Sequence, residues 1–342
     1  MMFVRYAAWR LVTMLLTLAA ISLLVFIIIN LPPGNYISNQ IAELQSSGES
    51  AGVEKARALM AQYSLDKPLW QQYLIWVGLA PGPDGFDGLL QGNLGWSFEL
   101  ERPVAEVVGE LAGLTALVNF AALVFVYAVA LPLGTIAAVK ANSAIDYIAS
   151  FVGYIGLATP NFLLALIMLF YGAQFFDIPV GGLMDRQYEG QPMSWDKFVS
   201  IVTHLIVPTI VIGTSATAAI MRRLRANLMD ELRKPYVETA QARGVPAATR
   251  IVRYPLRMAL NPFVADIGNL APQLVSGSVM ISVVMSLPTL GPILLQSLKS
   301  QDIFMSGFIL LFVSALTLIG MLISDILLAL LDPRIRMGGA SR

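Results

Sequence analysis

Few groups in this chain are able to do covalent or redox chemistry. Among 342 residues there is one histidine, His204, and no cysteine. Metal sites draw on clusters of His, Cys and carboxylates, and His204 has no such neighbours in sequence, so it reads as a histidine near a membrane interface. No Gly-x-x-x-x-Gly-Lys-Ser/Thr run occurs, so there is no backbone cradle for nucleotide phosphates. No catalytic residue, metal ligand or bound cofactor is expected. Two acids, Asp266 and Asp325, stand inside otherwise apolar runs, where a carboxylate is costly and marks a functional candidate. Asp325 lies close enough to Arg334 and Arg336 to pair with either. Asp266 follows a strongly basic segment, whose arginines are its natural partners, and is a candidate for gating. Gly277 and Ser278, small residues further along the same run, mark a place where it faces a pathway.

The most informative pattern is that basic segment. Residues 222–257 hold nine of the 22 Lys and Arg residues. Pro235 suits the first turn of a helix, where its missing N–H costs little. Residues 236–243 then read as two helical turns. Gly244 is a natural stop, and Pro246 opens a second short helix. A basic loop lying on anionic lipid explains the arginines. It does not explain the ordered alternation of proline, helix, glycine, proline and helix, which a docking element does.

The elements that must position these residues follow from composition. Hydrophobic residues make up 56% and charged ones 13%, about half the charge of a soluble domain. The excess must face lipid. Disorder is excluded by the same figure. The absence of a net basic charge excludes a nucleic-acid partner, and the absence of cysteine excludes a disulfide-stapled domain. A membrane-spanning helix needs about 20 apolar residues. Six stretches qualify: 11–31, 111–139, 147–176, 201–221, 262–285 and 304–331. The first is too long for a signal peptide and lacks a small-x-small cleavage site, so it reads as a retained anchor. With a cytoplasmic N-terminus, 15 basic residues fall inside and seven outside, which satisfies the positive-inside rule.

The expected fold is therefore an all-α integral membrane protein with six transmembrane helices and both termini cytoplasmic. Its parts are an N-terminal segment with the first span (1–31), a large extracytoplasmic cap (32–110), a five-helix core (111–331) containing a helix-turn-helix cytoplasmic loop (222–257), and a tail (332–342). Trp70, Trp76, Trp96 and Trp195 are expected in that cap or at the membrane interface.

Glu238-Thr239-Ala240-Gln241-Ala242-Arg243-Gly244 resembles the Glu-Ala-Ala-x-x-x-Gly loop of binding-protein-dependent ABC importer permeases. Tyr254-Pro255-Leu256-Arg257-Met258-Ala259-Leu260-Asn261-Pro262 is similar to the version in the dipeptide/oligopeptide (peptide/nickel/opine) branch. So are Leu65-Asp66-Lys67-Pro68-Leu69-Trp70-Gln71-Gln72-Tyr73, Gly92-Asn93-Leu94-Gly95-Trp96-Ser97, Val275-Ser276-Gly277-Ser278, Ser286-Leu287-Pro288-Thr289-Leu290-Gly291 and the ending Leu330-Leu331-Asp332-Pro333-Arg334-Ile335-Arg336. Thr239 stands where Ala is usual, and Tyr254 and Arg257 stand for the Ile and Pro of the general Ile-x-Leu-Pro ending.

The resemblance implies one subunit of an importer in the bacterial inner membrane. Its partners would be a second homologous permease, two ABC ATPase subunits and an extracytoplasmic solute-binding protein, with ATP and magnesium held on the ATPases. Glu238, Thr239, Ala240, Ala242, Arg243 and Gly244 would form the ATPase-coupling loop, and Gly244→Ala or Glu238→Lys would abolish uptake. Peptide is the leading solute class; oligosaccharide, opine and nickel are the alternatives. A secondary transporter would want more buried acids and an inverted repeat, and a membrane enzyme would want a converging nucleophile and base.

Overall fold

The structure is a computed structural model that describes residues 2–83, 85–176, 181–188 and 190–331. It is built almost wholly of helices: α1 (Met2–Ile29), α2 (Tyr36–Ser47), α3 (Ser50–Gln62), α4 (Leu69–Val77), α5 (Val104–Val139), α6 (Ala144–Ala158), α7 (Asn161–Phe176), α8 (Trp195–Leu232), α9 (Pro235–Ala242), α10 (Ala247–Arg253), α11 (Pro255–Val284), α12 (Leu290–Lys299) and α13 (Ile303–Leu331). Two short antiparallel strands, β1 (Trp96–Ser97) and β2 (Arg102–Pro103), pair just before α5.

Among the described residues, four helical stretches are long and apolar enough to cross a membrane: Arg5–Ile29, Val104–Val139, Trp195–Leu232 and Ile303–Leu327. Two more pass as bent pairs, Ala144–Ala158 with Asn161–Gly172 at 101° and Ala247–Leu270 with Gln273–Val284 at 51°. The stretch 147–176, expected as one continuous run, is therefore two helices. Its breaker is Pro160, which forces Thr159 into extended backbone (φ −86°, ψ 120°) because a residue before proline is crowded out of the helical region. Pro132 and Pro208, by contrast, sit inside unbroken helices.

The chain divides into two compact units. The first comprises residues 1–12, 115–288 and 317–342. Its centre is α8, whose Leu205, Val207, Val211, Ile220, Leu224 and Leu228 are buried against α6, α7 and α11. A Cβ on Gly134 of α5 would come within 2.9 Å of the Met221 carbonyl of α8. Small residues of this kind let membrane helices approach closely, where packing replaces the hydrophobic effect as the driving force.

Polar ties help to hold this unit. Asp146, in the first turn of α6, is buried and takes a two-pronged grip from Arg225 of α8, with Nε and Nη2 donating at 2.5 and 2.7 Å. The Asn142 backbone N–H adds a third bond at 2.9 Å. Asp325 accepts from Arg10 at 3.0 Å; the expected partners Arg334 and Arg336 lie outside the described residues, as does the tail 332–342. His204 is buried, and its Nδ1 donates to the Ser200 carbonyl at 2.8 Å. Among the described residues no three potential metal ligands cluster.

The second unit comprises residues 13–114 and 289–316. Asn35 and Ser38 form a reciprocal capping box that starts α2, and Gly48, in left-handed backbone, ends it and turns the chain into α3. One core gathers Ile37, Ala56, Leu65 and Phe98; another gathers Val104, Val107, Val108, Leu290, Leu294, Met305 and Ile309. Trp76 is buried and packs on Phe26, whereas Trp70 is exposed.

Asp302 joins the pieces of this second unit. Fully buried, it accepts from the Ser97 hydroxyl at 2.6 Å and from the backbone N–H groups of Glu99 and Met305 at 3.2 and 3.3 Å. Burial pushes its carboxyl above the usual range, and those hydrogen bonds pull the other way. An acid whose folded pKa is raised binds its proton more tightly when folded. Its contribution to stability is thus full below the ordinary carboxylate pKa and is lost as pH rises through the raised value. Asp302→Asn should flatten that part of the pH–stability profile. Asp302→Ala orphans three buried donors and should cost about 2–3 kcal/mol. Unfolding of the purified protein across pH 4–7 checks both.

Candidate functional site

The basic segment folds as a rigid projection. Helix α8 runs on to Leu232 and turns at Arg233 and Lys234. Glu231 fixes the corner: Lys234 Nζ donates to one carboxylate oxygen at 2.6 Å and the Tyr236 hydroxyl to the other at 2.5 Å. Pro235 occupies the first turn of α9, and the Thr239 hydroxyl donates back to its carbonyl at 2.9 Å.

The exit from α9 is a glycine-dependent turn. Val245 N–H donates to the Ala240 carbonyl at 3.2 Å and Gly244 N–H to the Gln241 carbonyl at 2.9 Å. That is the 6→1 and 5→2 pairing of a Schellman motif, which needs left-handed backbone at the residue after the cap. Gly244 supplies it, at φ +74°. A Cβ there would meet nothing within 4 Å, so the requirement is conformational and not steric. Helix α10 follows, and Pro255 starts α11 at once.

The residues singled out from sequence fall on this projection in an orderly way. Val237 and Ala240 are buried beneath α9. Glu238, Thr239, Ala242, Arg243 and Gly244 are exposed, as are Ala247, Ala248 and Val252 on α10. Glu238 sits in the first turn, where the helix dipole favours a negative charge. The outcome is a preformed, mixed-charge, small-residue surface.

Asp266, Gly277 and Ser278 are spread along α11. The Asp266 carboxylate forms an ion pair with Arg223 of α8 and accepts from Asn269 Nδ2 at 3.4 Å. Arg223 also lies over the Phe263 ring, 5.6 Å from its centroid. Gly277 lines a cleft with Thr159, Pro160, Asn161 and Ser215. Ser278 is buried, and its hydroxyl donates to the Val275 carbonyl at 2.8 Å. These three residues do not converge on one point. Sequence reasoning did not single out Asp146 or its pairing with Arg225. That pairing links residues 79 positions apart and has no local signature.

Residues 130–337 match the family described as the binding-protein-dependent transport system inner membrane component. The matched stretch includes the whole of α8 to α11. The chain belongs to this family. It is a membrane transport permease of the inner membrane. Similarity extends over nearly its full length to the di/tripeptide transport system permease protein DppB of Pseudomonas aeruginosa, 32% identical over 97% of this chain and 98% of that one. The dipeptide transport system permease protein DppB of Escherichia coli K12 is 29% identical over 94% of this chain and 95% of its own. The oligopeptide transport system permease protein AppB of Bacillus subtilis is 29% identical over 93% and 95%. The α9–Gly244–α10 projection of this permease lies within the stretch that defines the family.

Proposed function

We propose that this permease is one subunit of an ATP-driven ABC importer, forming half of the pathway for a peptide-like solute that an extracytoplasmic binding protein delivers. It crosses the membrane six times with both termini in the cytoplasm, each bent pair counting as one crossing. A second homologous permease supplies the other half of the pathway. Two ATPase subunits bind ATP and magnesium, and this chain holds no cofactor. The same domain boundaries read from sequence are part of the proposal: 1–31, an extracytoplasmic segment 32–110, a core 111–331 with its coupling loop 222–257, and a cytoplasmic tail 332–342.

One observation carries this reading. The exposed face of α9 and α10 is preformed, and it is joined to α8 and α11 by tight corners at Glu231 and Pro255. A docking element so connected transmits movement of its partner to the spans as rigid bodies. Glu238, Thr239, Ala242, Arg243 and Gly244 form the surface seated in an ATPase cleft, and buried Ala240 supports it from below. Peptide is favoured as solute because the similar permeases named above are called dipeptide, di/tripeptide and oligopeptide permeases.

The test is uptake by proteoliposomes holding both permeases, both ATPases and the cognate binding protein. ATP-dependent accumulation of trialanine, with maltotriose and nickel excluded, is the expected result. Accumulation of maltotriose or nickel alone would overturn the peptide assignment. Uptake without ATP would overturn the importer assignment.

A further inference from the structure

Helix α11 carries a polar stripe that neither the coupling surface nor the packing of its unit uses. Asp266 and Asn269 share a face of the first arm of α11, and Gln273, Ser276 and Met280 share a face of the second arm, beyond the 51° bend. Asn269, Gln273, Ser276 and Met280 are exposed. Other faces of α11 are buried through Phe263, Leu270, Leu274, Val275 and Ile281. Two clefts open along the stripe. One, of about 280 Å³, is bounded by Ala216, Ala219 and Arg223 of α8 with Asp266 and Gln273. The other, of about 400 Å³, is bounded by the α6–α7 elbow at Thr159–Asn161, Ser215 of α8, and Gly277 and Met280.

Polar groups at membrane depth are tolerated where they are packed in protein or line water. Another exposed surface of this unit is of a different kind: Phe151, Val152, Leu166 and Phe170 on α6 and α7 are exposed and apolar, the composition expected where a helix meets lipid. The Arg223 side chain is 55% exposed beside the stripe, and a guanidinium so placed needs water. An irregular helix break such as the Thr159–Pro160 elbow belongs at a cavity for the same reason.

We infer that the stripe Asn269–Gln273–Ser276 is a wall of the aqueous pathway and that it contacts the amide groups of the passing solute. This rests on the importer reading. The chemistry of the stripe sets the solute class. Each carboxamide offers two donors and an acceptor, and the hydroxyl offers both roles, which matches the N–H and C=O groups of a peptide backbone whatever its side chains. The single charge on the stripe, Asp266, is offset by Arg223, so the wall is neutral toward a zwitterion.

The absence of cysteine makes the test direct. Single substitutions Asn269→Cys, Gln273→Cys and Ser276→Cys are placed in the complete importer in proteoliposomes, with Leu166→Cys and Phe170→Cys as lipid-facing controls. Modification by a membrane-impermeant cationic methanethiosulfonate is read as the mass of this permease in the apo, ATP-bound and vanadate-trapped states. A permanent charge enters hydrocarbon so poorly that stripe positions should react about a hundredfold faster than the controls in at least one state. Trialanine with the binding protein should slow that reaction. Rates equal to the controls in every state would overturn the inference. So would a stripe that only cross-links to the second permease, since it would then be a dry subunit interface. Fast modification in vesicles that do not accumulate trialanine would uphold the wall and defeat the peptide reading instead.

Discussion

Proline at position 244 is expected to abolish ATP-driven uptake while leaving the permease in the membrane. The backbone there sits at φ +74°, and the pyrrolidine ring holds φ near −65°. The Gly244 N–H that closes the turn on the Gln241 carbonyl is lost as well. Together these penalise the native projection by about 3 kcal/mol or more, so its population falls by roughly a hundredfold. Residue 244 is exposed and its surroundings are open, so the spans have no reason to unfold. Alanine is a milder case. Its Cβ meets no neighbour within this chain, and the left-handed conformation costs about 1–2 kcal/mol. Gly244→Ala should therefore reduce uptake about fivefold to thirtyfold by this route. The expectation from sequence, that alanine abolishes uptake, requires in addition that the Cβ clash with the ATPase. Uptake and ATP hydrolysis measured on the same proteoliposomes, with the amount of inserted permease held equal, distinguish loss of coupling from loss of protein. Undiminished uptake by Gly244→Pro would sink the docking role of the turn.

The second large effect concerns Asp146 and Arg225. Removing one partner of a buried pair leaves the other charge uncompensated and costs about 3–5 kcal/mol. Asp146 is almost wholly buried, but the Arg225 side chain keeps 27% exposure, so Asp146→Ala should fall at the lower end, about 3 kcal/mol. Arg225→Ala strands the carboxylate in its buried site and should cost at least as much. Their double variant should be less destabilised than the sum of the two, because the group each single change strands is absent. Equilibrium unfolding of the purified permease in detergent gives all three values. Single variants as stable as the wild type, or strict additivity, would show that α6 and α8 are held by apolar packing alone. Function should follow stability here, since Arg225 lies on α8, the helix that leads into α9.

How much of this was legible beforehand depended on the range of the interaction concerned. The apolar stretches were visible because hydrocarbon imposes length and hydrophobicity on each segment separately. The projection was visible because its signals are local: Pro235 at a helix start, Gly244 at a stop and Pro246 opening a second helix. The elbow between α6 and α7 was half visible. Pro160 could have been read as an interruption of the 147–176 stretch, but a bend of 101° depends on where α8 and α11 leave room for the second arm. Asp266 was assigned the arginines of the preceding segment, and Arg223 is the one that meets it. Asp325 was assigned Arg334 or Arg336, which lie outside the described residues, and among the described residues it pairs with Arg10. That Arg10 bond comes from another helix, 315 residues away, and no local pattern announces it. Asp146 and Asp302 were hidden for the same reason. Each is a lone carboxylate in sequence and becomes a structural tie only once distant elements pack.

The central claim is that α9, its glycine turn and α10 seat this permease on an ATPase. A photoactivatable cross-linker on the single variant Ala242→Cys, in the complete importer, measures that most directly. The prediction is a cross-link to the ATPase subunit, formed in the membrane and changed in yield by ATP and vanadate. A cross-link to lipid or to the second permease alone, the same in every nucleotide state, would contradict it.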